Sequence, residues 1–334
     1  MNDKNVNRRQ FLQVSAAAGA ALGLHSFEEN DLYAQTANPK PRPASSGNTL
    51  PFGQIKDLKI SRLFCGGNLI GGWAHSRDLM YVSELVKSYH TDEKVFDTLE
   101  LAEENGINAV LTNPSSDAVI NRYWKERGGE IQWISDCASG NNLKEGIKRS
   151  VDSGAHAVYV QGGLADIAVR DGKIDMLGEA LEYIQTLGVP GGMGAHDIDT
   201  IKACVTAGMD PDFWVKTIHP DNYWSATPKA NRKPFGVVGP SSSDHDKNHD
   251  NMYCLRPQET IDTMKTLKKP WIAFKVMAAG AIHPSTAFQY AFESGADFIC
   301  AGMFDFQVVE DVIIARRILD NSGLTEKRPH PWMA

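Results

Sequence analysis

The sequence predicts a (β/α)8, or TIM, barrel. From residue 60 onward short apolar runs alternate with amphipathic helical windows, and the alternation repeats eight times. The eight units fill about 275 residues, the size of such a barrel. Repeated strand–helix units imply parallel strands, because parallel neighbours need a helical crossover. A doubly wound open sheet is the alternative, but it usually has fewer units and a glycine-rich first turn, which is absent here.

The expected strands are Ile60–Cys65, Ala109–Thr112, Ile131–Ser135, Ala157–Val160, Pro190–Gly194, Phe213–Thr217, Trp271–Val276 and Phe298–Ala301. Between and after them lie helix-period segments: Glu93–Glu104, Asp117–Glu126, Asn142–Ser153, Lys173–Leu187, Ile198–Ala207, Pro257–Leu267, Pro284–Ser294 and Val308–Leu319. Several close on a glycine before the next strand, at Asn105-Gly106, Gly154, Gly188, Gly208 and Gly295. Two connections are much longer, Asn68 to Asp92 after the first strand and His219 to Arg256 after the sixth. Both follow strand C-terminal ends, the face where barrel active sites are built, and read as structureless lids or binding loops. Oligomer contacts are the alternative use for one of them.

Composition agrees with a packed domain. Apolar residues at 42% and charged residues at 22% allow a sizeable core and exclude global disorder. The net charge is −7, and residues 36–334 carry 31 basic and 37 acidic side chains. No basic block suited to phosphates occurs, which excludes a nucleic-acid partner. The one membrane-like run is short, alanine-rich and N-terminal, which excludes a multi-span protein. Cys65, Cys137, Cys204, Cys254 and Cys300 are odd in number, widely spaced and without CxxC, so they form neither a disulfide framework nor a zinc knuckle.

Asn7-Arg8-Arg9-Gln10-Phe11-Leu12-Gln13 precedes an uncharged stretch, Val14 to Leu24, and resembles a twin-arginine export signal. The resemblance implies export of the folded protein by the twin-arginine machinery and a periplasmic destination, with no stable membrane insertion after the signal is removed. The expected organisation is a signal over residues 1–35, a flexible linker rich in Pro, Ser and Gly over 36–52, and a barrel catalytic domain over 53–334.

Candidate chemistry sits at the strand ends. Cys65/Asn68, Asn113, Asp136, Gln161, His196/Asp197, His219, Lys275 and Asp305 form a polar ring at the expected mouth. Asp136, His196 and His219 come from strands three, five and six. A carboxylate and two imidazoles are a ligand set for a divalent metal such as Zn, Mn, Fe or Co, with positions left for substrate. Lys275 is the expected acid/base or oxyanion-stabilising group, beside Asp136 and His219, with Asn113 and Gln161 orienting substrate. In the long loops His75, Arg77 and Trp224 offer charge and an aromatic face suited to a sugar or other small polar molecule. His245, His249 and Cys254 lie in or just after a segment that reads as a solvated, turn-rich loop.

Three further resemblances bear on function. Phe274–Ile282 followed by Glu293–Gly302 resembles the last quarter of aldolase-type and phosphate-binding barrels, in which glycine turns after strands seven and eight present N–H groups to an anion. Gly280 and Gly302 match those glycines, and a carboxylate or sugar hydroxyl would replace phosphate in an exported enzyme. Phe213-Trp214-Val215-Lys216-Thr217 resembles the sixth strand of deoxyribose-phosphate aldolases. It implies Schiff-base chemistry at Lys216, with Lys275 as the second lysine, although His219 and the Lys275–Gly280 spacing depart from that family. Ile60–Gly72 with Lys94–Asn108 resembles the opening of aldo/keto reductases. Their Asp/Tyr/Lys/His tetrad is replaced here by Thr112-Asn113-Pro114-Ser115, Asp136 and Gln161, so their activity does not transfer.

The expectation is therefore an exported barrel enzyme, a metal-dependent lyase, aldolase or isomerase acting on a small sugar-derived or hydroxy-carbonyl substrate. The alternatives are a metal-free Schiff-base aldolase using Lys216 or Lys275 and a non-catalytic periplasmic small-molecule binding protein.

Overall fold

A computed structural model describes residues 50–72, 80–138, 142–232 and 253–334. The export signal, His75, Arg77, His245 and His249 lie outside the described residues. Eight parallel strands close a barrel in the order β10-β3-β4-β5-β6-β7-β8-β9. They are β3 Leu63–Gly66, β4 Ala109–Thr112, β5 Gln132–Ser135, β6 Ala157–Val160, β7 Gly191–Ala195, β8 Phe213–Thr217, β9 Trp271–Phe274 and β10 Phe298–Gly302. Each coincides with an expected strand to within a few residues. β9 stops at Phe274 rather than Val276, because Lys275 adopts a left-handed backbone, φ 54°, that leaves the sheet.

Strand alternation separates two layers. Phe64, Leu111, Ile134, Tyr159, Phe213, Val215, Ile272, Phe298 and Cys300 fill the barrel interior. Their neighbours in sequence, among them Cys65, Val110, Trp133, Trp214, Trp271 and Ile299, pack outward against the helices. β7, Gly-Gly-Met-Gly-Ala, makes room for the largest interior rings: a Cβ on Gly192 would stand 2.4 Å from the Phe213 ring, and one on Gly194 would stand 2.6 Å from the Val160 carbonyl.

The N-terminal end of the barrel is plugged by an antiparallel hairpin, β1 Phe52–Ile55 and β2 Leu58–Ser61, absent from the expected pattern. Its Ile55 and Ile60 join the interior cluster. Leu50 is already buried and Phe52 opens β1, so ordered packing starts within the last residues expected as linker. Arg62 ties this end to the C-terminus, donating to the carbonyls of Asp297 and Ala334 at 2.9 and 3.0 Å.

The helices are α1 Met80–Tyr89, α2 Asp92–Glu104, α3 Asp117–Arg127, α4 Leu143–Asp152, α5 Gly162–Arg170, α6 Ile174–Thr186, α7 Ile198–Thr206, α8 Pro257–Met264, α9 Pro284–Glu293, α10 Asp305–Leu319 and α11 Leu324–Lys327. Three of them add to the sequence reading, α11 by following the last expected helix. α1 occupies part of the first long connection, which is therefore not structureless. α5 adds a helix directly after β6, between the expected strand Ala157–Val160 and the expected helix Lys173–Leu187; the Gln161 side chain caps it by accepting from the Leu164 N–H at 2.9 Å. All five cysteines are free and buried.

Candidate active site

The polar residues that end the strands largely close the turns into the helices that follow. Asn113 Oδ1 accepts from the backbone N–H of Ser115 at 2.9 Å and from its hydroxyl. Asp136 Oδ1 accepts from Ala138 N–H at 3.0 Å, and Asp197 Oδ1 accepts from Asp199 N–H at 2.9 Å to cap α7. Helix N-termini leave backbone donors unpaired, so a chain that turns repeatedly from strand into helix needs such side chains whatever its chemistry. Asn113 and Gln161, expected to orient substrate, thus have local work as caps.

His219 also has a structural task. Its Nδ1–H donates to the Pro220 carbonyl at 2.8 Å. Its Nε2 accepts the backbone N–H groups of Tyr253 and Cys254 at 3.0 and 2.9 Å. Thr217 adds a hydroxyl contact to the Tyr253 carbonyl at 3.0 Å. The returning end of the long connection after β8 is thereby pinned to the strand that launched it. Burial pushes the His219 imidazole down to about 4, favouring the neutral ring that this bonding requires.

His196, one strand earlier, is bonded differently. Its Nδ1 lies 2.9 Å from Asp166 Oδ2, so the carboxylate fixes the Nδ1–H tautomer. Asp166, buried on α5, also accepts the backbone N–H groups of His196 and Asp197 and, at 2.7 Å, the Thr200 hydroxyl. That network holds the imidazole and leaves Nε2 with no hydrogen bond to a described residue. Burial lowers the His196 pKa against the raising effect of Asp166, with Lys275 and Lys216 adding to the lowering. Sequence reasoning missed Asp166; its one cue is a lone charge within the otherwise apolar Leu164-Ala165-Asp166-Ile167-Ala168.

Around His196 the mouth is aromatic and charged. Its ring lies 5.2 Å from the Phe274 ring and 6.3 Å from that of Tyr253. The Lys275 ammonium sits 4.3 Å over the Tyr253 ring and 5.8 Å from Phe274. Cys137, two residues past β5, and Lys275, directly after β9, both hold left-handed backbones, φ 50° and 54°. Asp136 is raised to about 7, chiefly by burial. The buried Tyr159 hydroxyl is raised by burial and then by the charge of Asp136, and the Cys300 thiol, raised by burial, is opposed by Lys275. Asp136, Tyr159, Cys300, Lys275 and His196 therefore form one electrostatically connected set.

Other expected residues fall elsewhere. Lys216 shares its parity with outward-facing Trp214, is 1% exposed, and donates to the Thr217 carbonyl and hydroxyl at 2.8 Å each. Burial lowers its pKa. Its position between strand and helix layers removes it from the mouth. Trp224 is 84% exposed and does not line the aromatic set. Gly280, φ 85°, lies in a turn whose Ala278, Gly280, Ala281 and Ile282 N–H groups are spent on carbonyls within it, leaving none of these four for an anion. Gly302 ends β10 in register with Gly66.

Asp136, His196 and His219 are not grouped as the expected ligand set in this structure. Among the described residues no three His, Cys, Asp or Glu side chains are grouped to hold a metal ion. His219 has both ring nitrogens committed, and His196 has its Nδ1 committed to Asp166.

Residues 5–25 match the family profile of the TAT (twin-arginine translocation) pathway signal sequence, so the chain carries an export signal. No helix among the described residues is long and apolar enough to cross a membrane. No curated protein sequence matches the chain. Among solved structures, a protein titled an aldo-keto reductase from Pseudomonas aeruginosa superposes with a TM-score of 0.56 at 15% identity, covering 82% of this chain and 98% of that one. A second structure with that description and organism gives 0.54 at 14%, covering 82% and 99%. A truncated 3-deoxy-D-arabino-heptulosonate 7-phosphate synthase from Thermotoga maritima gives 0.44 at 9%, covering 82% and 90%. At these identities the likeness is one of fold, and the fold is a (β/α)8 barrel.

Proposed function

We propose that this exported barrel is an acid–base enzyme of the isomerase or lyase class, acting on a small hydroxy-carbonyl molecule such as a sugar derivative. The observation that supports it is the Asp166–His196 pair, which presents a neutral imidazole with a spare Nε2 beside the mouth. In this reading His196 Nε2 removes the proton from the carbon next to the substrate carbonyl. The Lys275 ammonium offsets the charge that develops on the carbonyl oxygen. Asp136, held near neutrality, returns a proton to the product. Asp166 touches no substrate atom and is a positioning residue. Tyr253, delivered by the His219 clamp, supplies an aromatic wall for the substrate's C–H face.

The test is solvent exchange. The mature exported protein in D2O is incubated with dihydroxyacetone, D-xylose, D-fructose, D-glucose and 2-hydroxy acids, and deuterium at the carbonyl-adjacent carbon is read by NMR. Exchange with at least one substrate is expected, falling about 10²–10⁴-fold in His196→Ala. Asp166→Asn should lower kcat with little effect on KM and move the acidic limb of the pH profile. Absence of exchange across the panel, or exchange undiminished in His196→Ala, overturns the reading. Thermal stabilisation by a compound recovered unchanged would point instead to a binding protein.

A further inference from the structure

Six of the ten large apolar side chains left exposed on the described residues lie on two neighbouring helices, α10 and α1. On α10 they are Phe306, Val309 and Ile313, 57%, 42% and 43% exposed, at i, i+3 and i+7 along one face. On α1 they are Tyr81, Leu85 and Tyr89, at i, i+4 and i+8. Tyr89 joins the two stripes. Its ring lies 6.4 Å from that of Phe306 and 5.4 Å from that of Phe304, and its hydroxyl donates to Asp305 at 2.5 Å.

Packing within the barrel does not account for this face. α10 already buries its opposite side through Val308, Val312, Ile314 and Ala315, and α1 buries Val86. Single exposed apolar residues are ordinary, but six joined in this way expose on the order of 600 Å2, a size that marks an interaction surface. The face is also held in shape, because Phe304 and Phe306 stack at 5.2 Å and 7°. A surface ordered in advance loses little side-chain freedom when it is covered.

Charge selects the occupant. The same face of α10 carries Glu310 and Arg317, both exposed, with Ile313 between them. Arg316 is paired with Asp320 at 3.6 Å, whereas Glu310 and Arg317 have no ion pair among the described residues. The two charges stand two helical turns, or about 10 Å, apart along the axis. A copy of α10 laid antiparallel about their midpoint sets each Glu310 against the partner's Arg317 and brings the two Ile313 side chains together between them. That is the reciprocity of a two-fold interface, in which one patch meets itself. The exposed apolar area approaches the roughly 800 Å2 per partner of a standard interface, and the flanking charges add to it.

We propose that the exposed face of α10, widened by the α1 stripe, is a homodimer interface whose occupant is a second copy of this chain. The interface does not depend on the acid–base reading of the mouth.

The test is sedimentation velocity on the mature exported protein from about 1 to 100 μM. A concentration-dependent dimer is expected, with Ile313→Glu and Glu310→Arg each raising its Kd at least tenfold. The double variant Glu310→Arg/Arg317→Glu reverses both charges and should dimerise like the parent. Such a rescue requires the self-complementary pairing, and a misfolded variant could not produce it. A monomer throughout this range overturns the proposal and leaves the face to an unlike partner. So does a dimer indifferent to Ile313→Glu, and so does a double variant no better than Glu310→Arg alone.

Discussion

His219 makes acid stability a direct test of the clamp after β8. Its ordinary value of 6.5 is depressed to about 4 in the folded chain, with burial as the leading cause. Folding therefore favours the neutral ring. The associated stability is whole above the unfolded value and is lost as pH falls from 6.5 towards 4. At pH 5 the unfolded chain holds the proton almost fully and the folded chain mostly does not, a difference worth about 2 kcal/mol relative to pH 7. Below pH 4 the loss levels off at about 3 kcal/mol. For a domain of this size the pH 5 value corresponds to a fall in Tm of about 4–8 °C. His219→Gln keeps an acceptor near the Nε2 position and cannot titrate, so the variant should lack this share of the acid loss. His219→Ala instead strands the Tyr253 and Cys254 N–H groups, at about 1–3 kcal/mol each at pH 7. Urea denaturation of the three proteins at pH 7 and pH 5 measures both effects. Asp136 and Asp311, raised to about 7, respond in the opposite sense, but they are common to all three proteins and cancel in the difference. Equal losses from pH 7 to pH 5 in the unmutated protein and His219→Gln would refute the reasoning.

Because Asp136 is held at about 7, its acid form declines as pH rises through neutrality, and turnover that needs this proton should fall above pH 7. Asp136→Asn is expected to lose about 10²-fold in rate and to flatten that alkaline limb; a pH–rate profile in which the limb survives unchanged counts against the assignment. Lys216→Met should leave unfolding free energy within about 1 kcal/mol of the parent or raise it, because a buried ammonium held by neutral oxygens is replaced by an apolar chain of similar length. Borohydride with an active substrate should leave no added mass on Lys216, and an adduct there in the intact-peptide mass spectrum would return Schiff-base chemistry to consideration.

The barrel strands were legible because a strand buried on both faces must be an unbroken apolar run, and each such run ends at a polar cap or a backbone break. The elements missed lacked that contrast. The β1–β2 hairpin is two four-residue strands around Lys56-Asp57, too short for a period to register. In α1, Tyr81 and Leu85 are 64% and 62% exposed while Val86 is buried, so its hydrophobicity does not mark one inward face. The site was harder still. Asn113, Gln161, Asp197 and His196 are alike as polar residues at strand ends, yet the first three cap helices and the last is gripped by a carboxylate 30 positions away. Nothing local in the chain encodes that pairing.

Spare hydrogen-bonding capacity separates side chains that residue type and burial leave indistinguishable. His219, His196 and His90 are all buried, and burial lowers all three. His219 has both nitrogens bonded within the chain, so removing it should cost stability first. His196 has Nδ1 bonded and, among the described residues, Nε2 spare, the state a general base needs, so removing it should cost turnover first. Among the described residues His90 has neither bonded, so the chain bears a desolvation cost there that packing does not return, and His90→Phe, which keeps the ring stack on Phe304, should raise stability. The three substitutions should therefore separate on the same protein into a loss of stability, a loss of turnover and a gain of stability. A barrel whose mouth was only structural would instead show the His196 variant failing in stability, as the His219 variant does.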